Sequence, residues 1–170
     1  MQGSSPIDCL AKARNLKEVF QTAIVAVVEQ DLQLIFRLQE LCGDYGLKLM
    51  VARGPEEAML YLRGVGIYAN RMRYPLPGLI LLDTQSPSAG DLAMLAWLRE
   101  HPQFANIPVG LLAVGPPHKV HVACAIDPDC FIIDRNSLWE LPTLAWQIFF
   151  PWKAALEPNP PGSFPSPRPS

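Results

Sequence analysis

The sequence predicts an α/β protein in which β-strands and helices alternate five times around one parallel sheet. The first observation is the run 79–82, four consecutive aliphatic residues that lead directly into Asp83. Because apolar and polar residues do not alternate in this run, both faces of the strand are expected to be covered, as in parallel sheets. The second observation is that similar apolar runs alternate with segments of helical spacing along the chain. Such alternation implies right-handed crossovers and a parallel sheet.

The predicted strands are short apolar runs, and in chain order they span residues 23–28, 47–51, 78–83, 108–113 and 130–133. The second run alternates apolar and polar residues, which is typical of a half-exposed strand. The third strand ends on Asp83, and Asp134 follows the fifth. Open α/β sheets place their chemistry at the carboxyl ends of the strands, so Asp83 is a candidate functional residue. The alternative is that Asp83 only forms the turn after the strand or caps the next helix.

Start and stop signals place the helices between these strands. The first helix has leucines at helical spacing, an N-cap at Asp31 and an expected end at Gly43. The second begins at Pro55, a residue that suits the first turn of a helix, and ends near Gly64. The remaining predicted helices span residues 90–100, 118–126 and, interrupted by Pro142 and Pro151, 138–156.

Composition argues against several classes of function. The formal net charge is −2 and no basic run occurs, so we expect no binding to nucleic acid. The apolar stretches are too short to span a membrane, and the N-terminus lacks the pattern of a secretory signal. The cysteines show no CxxC spacing and are expected to be free thiols: Cys9, Cys42, Cys124 and Cys130. We therefore expect a cytoplasmic protein that binds neither nucleic acid nor a membrane.

The chain divides by composition into three parts. Residues 1–21 are mixed and polar and form an N-terminal extension, and residues 22–156 form the folded domain. Residues 157–170 form a tail that contains six prolines. A segment of this composition cannot build a packed core, so the tail is expected to be extended and disordered.

The order of these elements and their acidic residues resembles the CheY-like receiver domain of response regulators. The acidic turn 29–31 follows the first strand, Asp83 ends the third, and Pro87 stands four residues beyond it. The segments 68–71 and 74–77 resemble single-domain regulators associated with phytochromes, in which a long loop enters the third strand. The resemblance covers roughly residues 22–157. It implies a flavodoxin-like, doubly wound (βα)5 sheet with strand order 2-1-3-4-5.

The resemblance also implies a chemistry for this edge of the sheet. In a receiver the aspartate at the position of Asp83 attacks a phosphoryl group and forms an acyl phosphate. If the site is active, Glu29, Gln30 and Asp83 would hold a Mg²⁺ ion that neutralises the two anions. A lysine after the fifth strand completes the neutralisation, and a hydroxyl residue after the fourth strand contacts the phosphoryl group and carries the switch.

This chain departs from that pattern at several supporting positions. Gln30 replaces the second acid and carries no charge, and Ala113 replaces the hydroxyl residue. Asp134 stands where a receiver has its lysine, which would put an anion beside the phosphoryl group, and Arg135 replaces the usual proline. Phe131 takes the position of the aromatic residue that moves with the hydroxyl. The switch positions Ala113, Phe131 and Asp134 are therefore degenerate, which favours a pseudo-receiver with no enzymatic activity.

Two functions remain open at this point. The first is a signalling module of the two-component type that acts by protein–protein contact, with phosphorylation weak or absent. The second is a working phosphorelay regulator that a histidine kinase phosphorylates on Asp83. Neither requires a cofactor, although the second calls for Mg²⁺, which we expect to bind only weakly.

Large aromatic residues crowd the last predicted helix: Trp139, Trp146, Phe149, Phe150 and Trp152. One buried helix face does not usually accommodate so many large rings, and exposed apolar patches often mark protein contacts. We therefore expect an interaction surface here. Receivers use the neighbouring face for dimerisation or partner docking, so the resemblance implies a homodimer through the last helix or a signalling partner bound there.

Overall fold

The computed structural model describes four stretches of the chain: residues 23–28, 30–83, 88–114 and 130–149. The strands are β1 Ala23–Val27, β2 Lys48–Ala52, β3 Leu79–Asp83, β4 Val109–Ala113 and β5 Phe131–Asp134. The helices are α1 Leu32–Asp44, α2 Pro55–Arg63, α3 Ala89–Glu100 and α4 Leu141–Phe149, with 3₁₀ helices at Gly66–Ala69 and Arg135–Glu140. The N-terminal extension, the predicted helix at 118–126 and the proline-rich tail lie outside the described residues.

The strands form one sheet in the predicted order, β2-β1-β3-β4-β5, and each described pair is parallel. The register puts Val27 of β1 beside Leu82 of β3, and Asp83 beside Leu112 of β4. Because the strands are parallel, their carboxyl ends meet at one edge. The predicted fold class and strand order are confirmed.

The sheet separates two hydrophobic layers, which explains why β3 shows no alternation. Its residues 79–82 are all fully buried, and they point by turns to opposite faces. One face packs under α2 and α3, where Ile80 and Leu82 contact Leu98 and its neighbours. The other face packs under α1 and α4, where Leu79 and Leu81 join Leu38 and Leu141. The edge strand β2 is only partly buried, in agreement with its alternating sequence.

Helix ends follow the predicted signals with two corrections. Asp31 caps α1, since its side chain accepts a hydrogen bond from the Leu34 N–H. The predicted end of this helix at Gly43 was wrong, because the helix continues through Asp44 and the chain turns at Gly46 (φ 66°). Pro142 does not interrupt the last helix either. It lies in the first turn of α4, where the missing N–H removes no helical hydrogen bond.

The loop before β3 is held by a cluster of tyrosines. The Tyr61 hydroxyl donates to the Pro75 carbonyl (2.6 Å), and the Tyr68 hydroxyl donates to Glu57 Oε1 (2.7 Å). The rings of Tyr61, Tyr68 and Tyr74 meet edge to face with centroids 5.2 to 6.2 Å apart. Burial and the bond to Glu57 raise the pKa of Tyr68 to about 12. The motifs 68–71 and 74–77 thus fix the path of the chain into β3.

Two further observations concern composition. Cys42 is a buried free thiol, and burial raises its pKa to about 12, while Cys130 is half-buried and Cys9 and Cys124 lie outside the described residues. None of the helices in the described part of the chain is long and apolar enough to cross a bilayer.

The contact between Gly78 and Phe149 docks α4 against the start of β3, and it can be tested by overpacking. A Cβ added at Gly78 would lie 2.4 Å from Phe149 Cε1, so Gly78→Ala should lower the free energy of unfolding by about 1–3 kcal/mol. The measurement is unfolding by guanidinium chloride. Gly43→Ala is the matched control, because Gly43 lies in α1 and an added Cβ there would meet nothing within 4 Å. Alanine is the better helix former, so this change should raise the free energy of unfolding by up to about 1 kcal/mol. Equal effects of the two changes would contradict this packing.

Candidate functional site at the carboxyl edge of the sheet

Asp83 lies where the sequence predicts, at the carboxyl end of the central strand β3. Its side chain is 15% exposed, so the carboxylate is largely withdrawn from water. A carboxylate this buried requires partners, since its charge is costly to desolvate. One partner that the structure places beside it is a cation from the end of β5.

Arg135 supplies that cation. It is the first residue after β5, and its side chain is only 8% exposed. Its Nη2 atom forms a salt bridge with Asp31 Oδ2, and its Nη1 atom lies 3.7 Å from Asp83 Oδ1. One guanidinium therefore faces two carboxylates, one from the start of α1 and one from the end of β3.

Asp31 has a double role in this arrangement. Its Oδ1 atom accepts the Leu34 N–H (2.9 Å), and its Oδ2 atom binds Arg135. The pKa of Asp31 is lowered from 3.8, chiefly by the Leu34 hydrogen bond; burial opposes this lowering, and the hydrogen bond and charge of Arg135 add to it. The side chain is 35% exposed, so solvent screens part of the attraction.

Asp134, which we expected beside Asp83 in place of a lysine, points elsewhere. Residues alternate along β5, so Ile133 is buried, Asp134 is exposed and Arg135 is buried again. The Asp134 carboxylate accepts the Asn136 N–H (2.9 Å) and caps the 3₁₀ helix that begins there. The structure therefore brings a cation to Asp83 from the end of β5, and the expected anion turns away.

The other predicted positions differ in their placement. Ala113 ends β4 and is buried, and it pairs in register with Asp134. Phe131 is partly buried and its ring lies over Gly110, where an added Cβ would be 3.0 Å from Cζ. Gln30 is exposed, and Glu29 and Pro87 lie outside the described residues.

A small polar cavity opens beside the ion pairs. It has a volume of about 150 Å³, and Asp31, Arg37, Arg135 and Asn136 contribute to its lining. Within the described ranges, no three His, Cys, Asp or Glu side chains cluster in a way that would hold a metal ion. A hard divalent cation needs carboxylate oxygens turned toward it. Because Asp31 and Asp83 both face the Arg135 guanidinium, these residues do not fit a divalent cation between them.

The predicted interface residues divide into two groups. Trp139 is 51% exposed on the second 3₁₀ helix, in keeping with a surface role. Phe149 is partly buried and packs on Gly78, so it contributes to the core. Trp146 lies within α4, but its side chain is outside the described part, as are the whole residues Phe150 and Trp152.

Comparison with known proteins agrees with this fold. No family model and no curated protein matches the chain. A response regulator in red light signaling of R. palustris is 19% identical with a TM-score of 0.62, over 75% of this chain and 94% of that one. The bacteriophytochrome response regulator AtBRR is 25% identical (TM-score 0.57), over 76% of this chain and 93% of its own. The Mn²⁺-bound form of response regulator Rcp1 is also 25% identical, with a TM-score of 0.55 and coverage of 76% and 93%.

The chain therefore has the fold of response-regulator receivers, and Asp83 ends the central strand of its sheet. Among solved structures, the chain resembles bacteriophytochrome response regulators. The similarity spans nearly the full length of those regulators.

The contact that sequence reasoning missed is the one made by Arg135. The sequence did indicate this contact. Arg135 lies two residues after the buried Ile133, and residues two apart along a strand point to the same face, here the face that packs against α1. An arginine on that face, at an edge that carries two aspartates, has an obvious electrostatic partner.

The two roles of Asp31 can be separated by substitution. Asp31→Asn keeps an N-cap acceptor but loses the charge that faces Arg135, whereas Asp31→Ala loses both and should cost about 1 kcal/mol more. Because the pKa of folded Asp31 is lowered, its ionic contribution is complete above pH 3.8 and is lost as the pH falls through the lowered value. The stability gap between the wild type and Asp31→Asn should therefore close in acid. Chemical denaturation at neutral and acidic pH measures it, with the exposed Asp44→Asn as control; a gap that persists in acid would contradict the ion pair.

Proposed function

We propose that the chain is a pseudo-receiver, a non-enzymatic signalling module of the two-component type that works in the cytoplasm by protein–protein contact. In this proposal its output does not depend on phosphorylation of Asp83. The observation that carries the proposal is the Arg135 guanidinium, which faces Asp31 and Asp83 together in a buried site. Phosphoryl transfer to Asp83 would require a different set of charges around it.

The electrostatics of the described site support this proposal. Acyl phosphate formation brings a phosphoryl group with further negative charge against the Asp83 carboxylate, and receivers offset this with a metal ion and a lysine. Here one guanidinium already serves two carboxylates. At about 4 Å a pair of unit charges interacts by about 4 kcal/mol at an effective dielectric near 20. Drawing Arg135 toward a phosphoryl group would weaken its salt bridge to Asp31, part of which solvent already screens.

The position after the fourth strand supports the same conclusion. A receiver signals its phosphorylation through a hydroxyl that hydrogen-bonds the phosphoryl group and moves toward it. Ala113 is buried and has only a methyl group to offer. Even a phosphorylated Asp83 would therefore lack the side chain that transmits its state.

A working phosphorelay regulator remains the second candidate, because specific observations favour it. Asp83 is retained at the acceptor position, and Arg135 Nη1 lies close enough to contact a group added there. Similar solved structures include a phosphorylated cyanobacterial phytochrome response regulator and a Mn²⁺-bound regulator. In this candidate function the partner is a histidine kinase, and Mg²⁺ would be needed at the same edge.

Intact-protein mass spectrometry distinguishes the two functions. The full chain is incubated with a small phosphodonor such as acetyl phosphate and Mg²⁺, with Asp83→Asn as the control. We expect no adduct of one phosphoryl group on the wild type, because the charges that would stabilise it are engaged with one another.

A well-behaved receiver treated in parallel shows that the donor is active, and circular dichroism shows that the chain is folded. An adduct on the wild type that disappears in Asp83→Asn would overturn the pseudo-receiver proposal and favour the phosphorelay. An adduct that persists in Asp83→Asn lies on another residue and leaves Asp83 unphosphorylated, as proposed.

We further propose that the chain self-associates, or contacts its signalling partner, through the last helix and the 3₁₀ helix before it. Trp139 is the described residue that supports this, since half of a large ring is left in water. Exposed tryptophans are typical anchors of protein interfaces.

Trp139→Ser should raise the dissociation constant of the dimer roughly tenfold or more without unfolding the chain. Sedimentation velocity over a concentration series provides the measurement. The matched control is Ile67→Ser in the first 3₁₀ helix, which removes an even more exposed apolar side chain (73%) from a different surface. A wild type that sediments as a monomer at every concentration, or an equal effect of both changes, would refute self-association through Trp139.

A further inference from the structure

The Arg135 guanidinium has an unusual environment for a cation. Its side chain is more than nine-tenths buried, and its Nη1 atom has no hydrogen-bond partner among the described residues. That atom is held 3.7 Å from Asp83 Oδ1, which is an ionic distance but too long for a hydrogen bond. The other end of the guanidinium is fixed by Asp31. The charge is therefore positioned between two carboxylates by the fold itself.

A guanidinium in this position is a permanent cation. Arginine does not lose its proton in proteins, so the charge cannot be removed by pH in the way that of a lysine or histidine can. Its buried stem enters the site from the end of β5, so the cation cannot diffuse away as a bound metal does. A divalent ion placed between Asp31 and Asp83 would meet this charge at close range, and the two cations would repel each other.

We propose that Arg135 is a tethered replacement for a divalent cation: it fills the space between Asp31 and Asp83 and excludes Mg²⁺ or Mn²⁺ from this edge of the sheet. The inference rests on the proposed function in assigning the site to a receiver that no longer uses its metal. It goes further by naming Arg135 as the residue that excludes the metal, and Asp31 and Asp83 as the metal ligands that become available when Arg135 is replaced.

Carboxylate oxygens are the ligands that hard divalent cations prefer, and water completes their coordination. Without the guanidinium, Asp31 and Asp83 would both lose the cation that they now face, and Asp31 would line a polar cavity of about 150 Å³ that no longer holds this charge. Such a site attracts a cation from solution. The prediction is therefore a gain of metal binding when a residue is removed.

The test is a Mn²⁺ titration of the full chain, with free Mn²⁺ measured by electron paramagnetic resonance and no phosphodonor present. Arg135→Gln should bind one Mn²⁺ per chain at least tenfold more tightly than the wild type. The matched control is Arg37→Gln, which removes an exposed arginine that lines the same cavity but forms no salt bridge that the structure shows to Asp31 or Asp83. It should behave like the wild type. Adding Asp83→Asn to Arg135→Gln should abolish the gained binding.

Either of two results would overturn the inference. The first is that Arg135→Gln binds Mn²⁺ no more tightly than the wild type. The second is that the tighter Mn²⁺ binding of Arg135→Gln persists when Asp83→Asn is added. If Arg135→Gln does not fold, Arg135→Lys and the wild type decide the question. Both keep a cation, so millimolar Mn²⁺ should leave their melting temperatures unchanged, and a rise in either would refute the exclusion of metal.

The outcome is separable from that of the proposed function. Wild-type protein that binds no Mn²⁺ but acquires a phosphoryl group on Asp83 overturns the pseudo-receiver proposal and leaves the role of Arg135 intact. Wild-type protein that binds Mn²⁺ between these carboxylates but takes no phosphoryl group overturns only the inference about Arg135.

Discussion

The guanidinium shared by Asp31 and Asp83 is the interaction on which the carboxyl edge of this sheet depends. A buried arginine is tolerated only where its charge is compensated, and here the compensation comes from two separate elements, the start of α1 and the end of β3. Arg135 is also the first residue of the 3₁₀ helix that follows β5. Three elements that are far apart in sequence are thus tied together at one point.

Much of the fold could be predicted because β3 is so apolar. A run of four aliphatic residues that is buried on both faces fits a central parallel strand, and the alternating β2 fits an edge. Capping residues with a local mechanism were also reliable, as Asp31 and Pro55 show. The errors came from residues whose role depends on the chain around them. Gly43 is helical because Gly46 takes the left-handed turn, and Pro142 starts a helix because the residues before it already form a 3₁₀ turn.

The site was predictable in position but not in its contacts. The resemblance put Asp83 at the end of β3, and the structure agrees. It also put Asp134 at the position of a lysine, but position along a strand does not fix the direction of a side chain at its end. Alternation along β5 continues one residue past the strand, which turns Asp134 to solvent and Arg135 inward. A position-by-position comparison with receivers finds Asp134 at the position of the lysine and overlooks the cation one residue later. The alternation of side chains along β5 does predict that this cation, Arg135, points inward.

The inward position of Arg135 also links the site to the surface that we propose as an interface. The 3₁₀ helix that Arg135 begins contains the buried Leu138 and the exposed Trp139, so one short segment carries an ion pair at its start and an exposed ring near its end. In the proposed function, a partner bound at Trp139 would act on a segment whose start is fixed by Arg135, and any coupling between the two must be reciprocal. The signal would then be occupancy of this surface rather than phosphorylation of Asp83.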